Sequence, residues 1–331
     1  MIDTLFPSQH SSPASISGGR YDNAANVADL DALITGSPPL PKLQILGYSR
    51  DDADRMAQVI MRFAALLIRA SPFLSFDALE CLMIGADYRA TLSLYEAEGR
   101  AFDKNFCDSA QTSLAIVLPT QRGVVAFIHP QVVGQLLAES AQSWVGSIRV
   151  LWHELCHVFD LGLRRKWLLH RAQIQHDDSI LYWRCESLWA EYFANRFSYF
   201  DGADLSDDWQ RLESVLEQMP RMEPGHATKK LTSAFGYLLG SLAARKTDIH
   251  NLHPDLVQRL RKKGLMAAWL EARAATDDLV LSQDCWHHEN GVMRLAVAAR
   301  LIETACLCLN SSAALRADAD GWNWPCCNCS V

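Results

Sequence analysis

The stretch that decides this chain is His153-Glu154-Leu155-Cys156-His157. On a helix, residues i and i+4 share a face, so His153 and His157 can reach one ion from adjacent turns. Glu154 stands beside them, placed to reach a water held by that ion. Cys156 lies between the histidines in sequence but off their face, and it reads as a small core residue. Around the motif, Ile148, Leu151, Trp152, Leu155, Val158 and Phe159 supply apolar faces, which predicts a largely buried helix from Trp144 to Leu163. The Arg164-Arg165-Lys166 cluster that follows suits a helix C-terminus, where the dipole favours cations.

A hydrolytic metal centre uses three protein ligands and keeps a fourth position open, so two histidines demand a third donor downstream. The segment Glu186-Ser187-Leu188-Trp189-Ala190-Glu191-Tyr192-Phe193-Ala194-Asn195-Arg196-Phe197 meets that demand on a helix expected from Tyr182 to Phe200. Glu191 is the preferred donor; Glu186, His170 and His176 are alternatives. Ala194 leaves room one turn beyond Glu191. Asn195, at i+4 from Glu191, can hydrogen-bond a ligand histidine and fix it. Asp160 either supports the same shell or is a polar residue near the helix end.

Together the two motifs resemble the gluzincin zinc peptidases, which combine HExxH with a glutamate on a following helix. His153 through Asp160, with Ala190-Glu191-Tyr192-Phe193-Ala194 and Phe197, looks like the anthrax lethal factor type. Glu191, Ala194, Asn195 and Phe197 are also similar to the ImmA/IrrE type. The HELCH string resembles the SprT/Spartan class as well, in which a histidine, here His170, would be the third ligand. A metzincin would need Gly and His where this chain has Asp160 and Leu163.

The gluzincin resemblance implies an α+β, zincin-like fold: a small, mostly antiparallel sheet packed on the HExxH helix and the glutamate helix, followed by further helices. It implies one catalytic Zn2+ on His153, His157 and Glu191, with Glu154 as general base in hydrolysis of a protein or peptide substrate. The lethal factor type places a tyrosine seven residues before its glutamate ligand. This chain has Arg184 there, so Tyr182 is the nearest oxyanion donor, with His176 and His226 as other candidates. The alternative is a zinc-binding regulatory or partner-binding module with little turnover.

The rest of the sequence bounds these expectations. With 331 residues, 49% of them hydrophobic, there is material for a sizeable core. A net charge of −7 without a long basic run argues against nucleic acid or an anionic membrane as partner. The apolar run Leu231 to Ala244 is too short to span a bilayer. Met1-Ile2-Asp3-Thr4 does not open a secretory signal, so a cytoplasmic protein is expected, with its ten cysteines reduced.

Residues 1–42, rich in Ser, Pro and Gly, read as a flexible arm; 43–203 as the peptidase domain; 204–310 as a helical subdomain; and 311–331 as a Cys-rich tail ending Cys326-Cys327-Asn328-Cys329. Cys285-Trp286-His287-His288-Glu289 is a weaker metal candidate, because its histidines lack helical ligand spacing. Ser49 with Asp52 is a capping signal for a helix to Ala70. Strands are expected at Leu79–Asp87 and Ala90–Tyr95, and a hairpin at Ser113–Leu118 and Val124–Ile128 through Gly123, its second strand offering an edge to a peptide. Helices are expected at Gln131–Glu139, Asp207–Gln218, Ala227–Ala244, Pro254–Ala274 and Val292–Leu309.

Overall fold

Ser49 starts the first helix as its capping pattern predicts. Its Oγ accepts from the Asp52 amide at 3.2 Å and donates to the Asp52 carboxylate at 2.7 Å. The computed structural model describes residues 42–97, 113–120, 122–138, 141–168, 176–199, 205–281 and 289–318. Over these residues the protein is α+β, mostly helical, with a four-stranded mixed sheet. The chain divides into two compact units, Met1–Gln173 with Phe193–Ala203, and Ile174–Tyr192 with Asp204–Val331.

In the first unit, β1 (Leu43–Leu46) leads to α1 (Arg50–Ala70), β2 (Leu79–Gly85), α2 (Tyr88–Ala97), β3 (Ala115–Pro119), β4 (Val124–Ile128), α3 (Pro130–Leu137) and α4 (Ala141–Leu168). The sheet order is β1-β2-β4-β3. The expectation of a mostly antiparallel sheet is corrected here: β1 pairs parallel with β2, β2 pairs parallel with β4, and only β3 and β4 run antiparallel. All five residues of β4 are buried, as befits a strand covered on both faces. That strand is therefore interior and offers no edge; β1 and β3 are the outer strands.

The hairpin turns through Gly123 as expected. The Thr120 amide donates to the Gly123 carbonyl at 2.8 Å, and a Cβ on Gly123 would lie 2.2 Å from the Ala78 carbonyl oxygen. Only glycine lets the backbones come that close.

The strand expected at Ala90–Tyr95 is a helix instead. Its alternating residues mimic a strand, but Asp87 Oδ1 accepts from the Ala90 amide at 2.9 Å and caps the first turn. Tyr88, Thr91 and Leu92 then bury at helical spacing. His129 likewise heads α3, its Nδ1 accepting from the Gln131 amide at 3.1 Å with Pro130 in the first turn. The motif helix α4 packs on β3 and β4, and Trp152 ties it to α1 by donating to the Phe63 carbonyl at 2.9 Å.

Most of α5 (His176–Phe197) and all later helices belong to the second unit. The helix starts six residues before the expected Tyr182, so the backbone of His176, Asp177 and Asp178 is helical. After α6 (Ser206–Gln218), α7 (Pro224–Ala244) and the short α8 (Ile249–Leu252), the helix expected over Pro254–Ala274 is two, α9 (Pro254–Lys262) and α10 (Met266–Leu281). Gly264 separates them at φ +69°, a left-handed stop. The final helix, α11 (Glu289–Asp318), runs past the expected end at Leu309.

The apolar run Leu231 to Ala244 is the inner face of α7, and no helix among the described residues is long and apolar enough to cross a membrane. Residues 1–41, His170, Cys285 to His288 and Cys326 to Cys329 lie outside the described residues.

Two glycines separate close packing from open helix surface. A Cβ on Gly85 would fall 1.6 Å from Thr91 Oγ1, whereas one on Gly134 of α3 would meet nothing within 4 Å. Gly85→Ala is expected to lower stability by about 1–3 kcal/mol, and Gly134→Ala to raise it by up to about 1 kcal/mol. Thermal unfolding of the two variants beside the wild type checks both signs.

Candidate metal centre

Helix α4 puts His153 and His157 one turn apart, with ring centroids 4.5 Å from each other and ring planes at 88°. Their Nε2 atoms face each other at 2.9 Å. His153 is buried, and its Nδ1 lies 3.0 Å from Asn195 Oδ1. An amide oxygen opposite Nδ1 favours the tautomer that leaves the Nε2 lone pair for a metal. Glu191 completes the group: one donor atom from each of His153, His157 and Glu191 lies within 4.8 Å of the others.

Three donors at about 2.1 Å from a tetrahedral ion stand about 3.4 Å apart. The observed 2.9 Å and the 4.8 Å limit bracket that separation. Two neutral imidazoles and a carboxylate, one imidazole already oriented by an amide, can hold a metal ion; the donor set alone does not say which metal.

What brings Glu191 to this point is the packing of α5. The division between the two units cuts α5 after Tyr192, but the helix is continuous through the cut, so Glu191 sits one turn before Asn195 on the same face. Beyond the cut, Phe193 stacks on Phe159 of α4 at 5.9 Å. Phe73 closes edge-on against both Phe159, at 5.8 Å, and Phe197, at 4.8 Å. This aromatic set fixes the end of α5 against α4 and sets its rotation. Ala194, fully buried, fills the turn where a larger side chain would crowd the group.

The Glu191 turn is also held from behind. A Cβ on Gly236 of α7 would come within 2.4 Å of the Leu188 carbonyl oxygen, 2.8 Å of Glu191 Cβ and 3.1 Å of the Tyr192 amide nitrogen. Next to Glu191, the Tyr192 hydroxyl donates to Asp277 Oδ1 on α10 at 3.1 Å. Sequence reading did not single out Gly236. The signal was present as Gly236 and Gly240, a small-residue pair at i and i+4 in an otherwise apolar helix.

Glu154 is half-buried on α4 beside His153. Its charge reaches Tyr88, whose phenol is pushed up first by burial and then by Glu154. Nothing in the sequence flagged Tyr88. Cys156 is fully buried; burial, then the charge of Asp160, pushes its thiol up. Asp160 itself is buried one turn beyond Cys156.

Of the expected oxyanion donors, the side chains of Tyr182 and His176 lie outside the described residues, and His226 is exposed at the start of α7. Position 182 is nine residues before Glu191, about 13 Å along the helix axis and half a turn out of phase with it. No known protein family matches the chain, and no curated protein or solved structure does.

Loss of the residues behind the donors should weaken metal binding without unfolding the chain. Asn195→Ala and Gly236→Ala are each expected to lower affinity for a divalent metal by about 10–100-fold. Titration calorimetry with zinc, alongside circular dichroism to verify helix content, measures this.

Proposed function

We propose that the chain is a zinc-dependent peptide hydrolase of gluzincin, zincin-like type. The observation that carries this reading is the meeting of His153, His157 and Glu191, from two separate segments, around one point, with Glu154 next to His153 in sequence. Two imidazoles and one carboxylate suit zinc, and three protein donors leave one position for water or substrate. When bound, zinc supplies a Lewis acid for the scissile carbonyl and makes water acidic enough to attack near neutral pH.

The protein's own groups do the rest. Asn195 holds His153 in the ligating tautomer, and the aromatic set holds Glu191 in reach. Glu154, adjacent in sequence to a ligand, takes the proton from the attacking water and delivers it to the leaving amine, a role worth about 10²–10⁴-fold in rate. A peptide adding to β3, an end strand of the sheet among the described residues, runs along the sheet on which α4 packs, with main-chain hydrogen bonds as the source of affinity. This moves the substrate edge from the expected β4 to its neighbour.

Purified protein should contain close to one zinc per chain and cleave members of a random peptide library, read by mass spectrometry. Glu154→Gln should keep the metal and lose at least about 100-fold in rate, whereas His153→Ala and Glu191→Ala should lose the metal. Full metal occupancy with no cleavage of the library or of unfolded casein would leave a zinc-binding regulatory module instead.

A further inference from the structure

Tyr192 follows the Glu191 donor on α5 and is 1% exposed, its ring beside that of Trp189 at 5.9 Å. Its hydroxyl donates to Asp277 Oδ1 on α10 at 3.1 Å, and the connection continues outward from there. Arg273, one turn earlier on α10, sets its Nε 3.9 Å from Asp277 Oδ2 and donates from Nη1 to Asp248 Oδ2. Asp248 Oδ1 in turn accepts from the His250 amide at 2.8 Å and caps α8. These side chains tie the turn that bears Glu191 to α10 and to the start of α8, all within the second unit.

Exposure says what this connection is for. The side chains of Arg273 and Asp277 are each 43% exposed, so water and salt screen the pair and it adds little to overall stability. Phenylalanine at 192 would keep the ring contact with Trp189; what the hydroxyl and its acceptor add is direction. The carboxylate oxygens of a helical glutamate stand about 6 Å from the helix axis, so turning α5 by about 5° shifts them by about 0.5 Å. A metal–ligand distance tolerates about 0.2 Å. The aromatic rings at Phe193 and Phe197 set the gross rotation of α5. Asp277 reaches the helix through Tyr192, about 100° round from Glu191, and restrains the few degrees that packing leaves. Arg273 and Asp248 keep that acceptor in place, so the restraint is a network rather than a single bond.

We propose that Asp277, held by Arg273 and Asp248, is a positioning residue that acts through Tyr192 to set the Glu191 carboxylate for metal binding. The inference rests on the metal centre of the hydrolase reading above, and not on which bond that centre cleaves. Asp277 touches neither metal nor substrate. Its effect is on how well the Glu191 oxygens meet an ion already held by His153 and His157, so it is read in affinity for the metal before it is read in rate.

Zinc titration of the full-length protein, stripped of metal by a chelator, tests this. Tyr192→Phe and Asp277→Ala are each expected to lower zinc affinity about 10-fold, the smaller end of the range for groups behind a ligand, with helix content intact and the Tm of the metal-free protein little changed. Asp277→Asn keeps an oxygen facing the Tyr192 hydroxyl and should bind zinc nearly as well as wild type. The double variant Tyr192→Phe with Asp277→Ala should lose no more than either single one, because both remove the same bond. Asp277→Asn as weak as Asp277→Ala would make the effect one of charge at a distance and overturn the assignment. Wild-type affinity in Tyr192→Phe overturns it too, as does a loss of affinity that scales across the variants with the fall in Tm. Each of these outcomes leaves the metal centre in place, whereas wild-type protein that binds no zinc overturns both.

Discussion

The site depends on the rotation of one helix. Two histidines at i and i+4 on α4 meet without help from the rest of the fold, but the carboxylate that joins them comes from α5, 34 positions after His157. Each residue on a helix is turned about 100° from the last, so a slip of one position would aim Glu191 away from the histidines. The stacked and edge-on rings of Phe73, Phe159, Phe193 and Phe197 prevent that slip. Being apolar and shape-specific, they lock rotation as well as distance, which a single hydrogen bond could not do.

The segment bearing Glu191 is itself pinned by its neighbours in the second unit. Gly236 lets α7 approach the backbone of Leu188 and Tyr192 so closely that the two helices cannot slide independently. The Tyr192 hydroxyl, bonded to Asp277, holds α5 to α10 one residue past the ligand. Such support is needed because bringing a carboxylate and two imidazoles together out of water is unfavourable until a cation or hydrogen bonds compensate them. A loosely held turn would let Glu191 move back toward solvent, and the donor set would not persist.

Much of this was legible in the sequence, for local reasons. The i, i+4 spacing of the histidines, the Ser49 cap, the turn at Gly123 and the placing of Asn195 one turn from Glu191 are all set within a few residues, and spacing reports them directly. What was not legible involves partners distant in the chain. Ala90–Tyr95 alternates like a strand, yet the Asp87 cap and burial of Tyr88 and Leu92 against the sheet make it helical. Val124–Ile128 looked like an outer strand because its hairpin partner is adjacent; that β2 would pair on its other side depends on residues 44 or 45 positions away. Gly264 stops a helix that periodicity alone would continue. The contact of Gly236 with Glu191 leaves no mark in local pattern beyond a pair of glycines.

These non-local features share a property. A glycine inside a helix weakens that helix by about 1 kcal/mol relative to alanine, and a buried hydroxyl without an acceptor forgoes about 1–3 kcal/mol. Asp160 and His153 add two buried polar side chains on α4 itself. None of these choices follows from the requirements of a core, which leucine, alanine and phenylalanine would fill more stably. Gly236, His153 and Asp160 lie on or against the turns of α4 and α5 that carry His153, Glu154, His157 and Glu191, and local rules are expected to yield where geometry serves chemistry. The buried polar seam of the second unit shows the contrast: there Ser241 donates to Asp208 at 2.7 Å, donor meets acceptor, and no atom is held in reserve. Tyr88 differs from that seam in one respect, the lack of an acceptor.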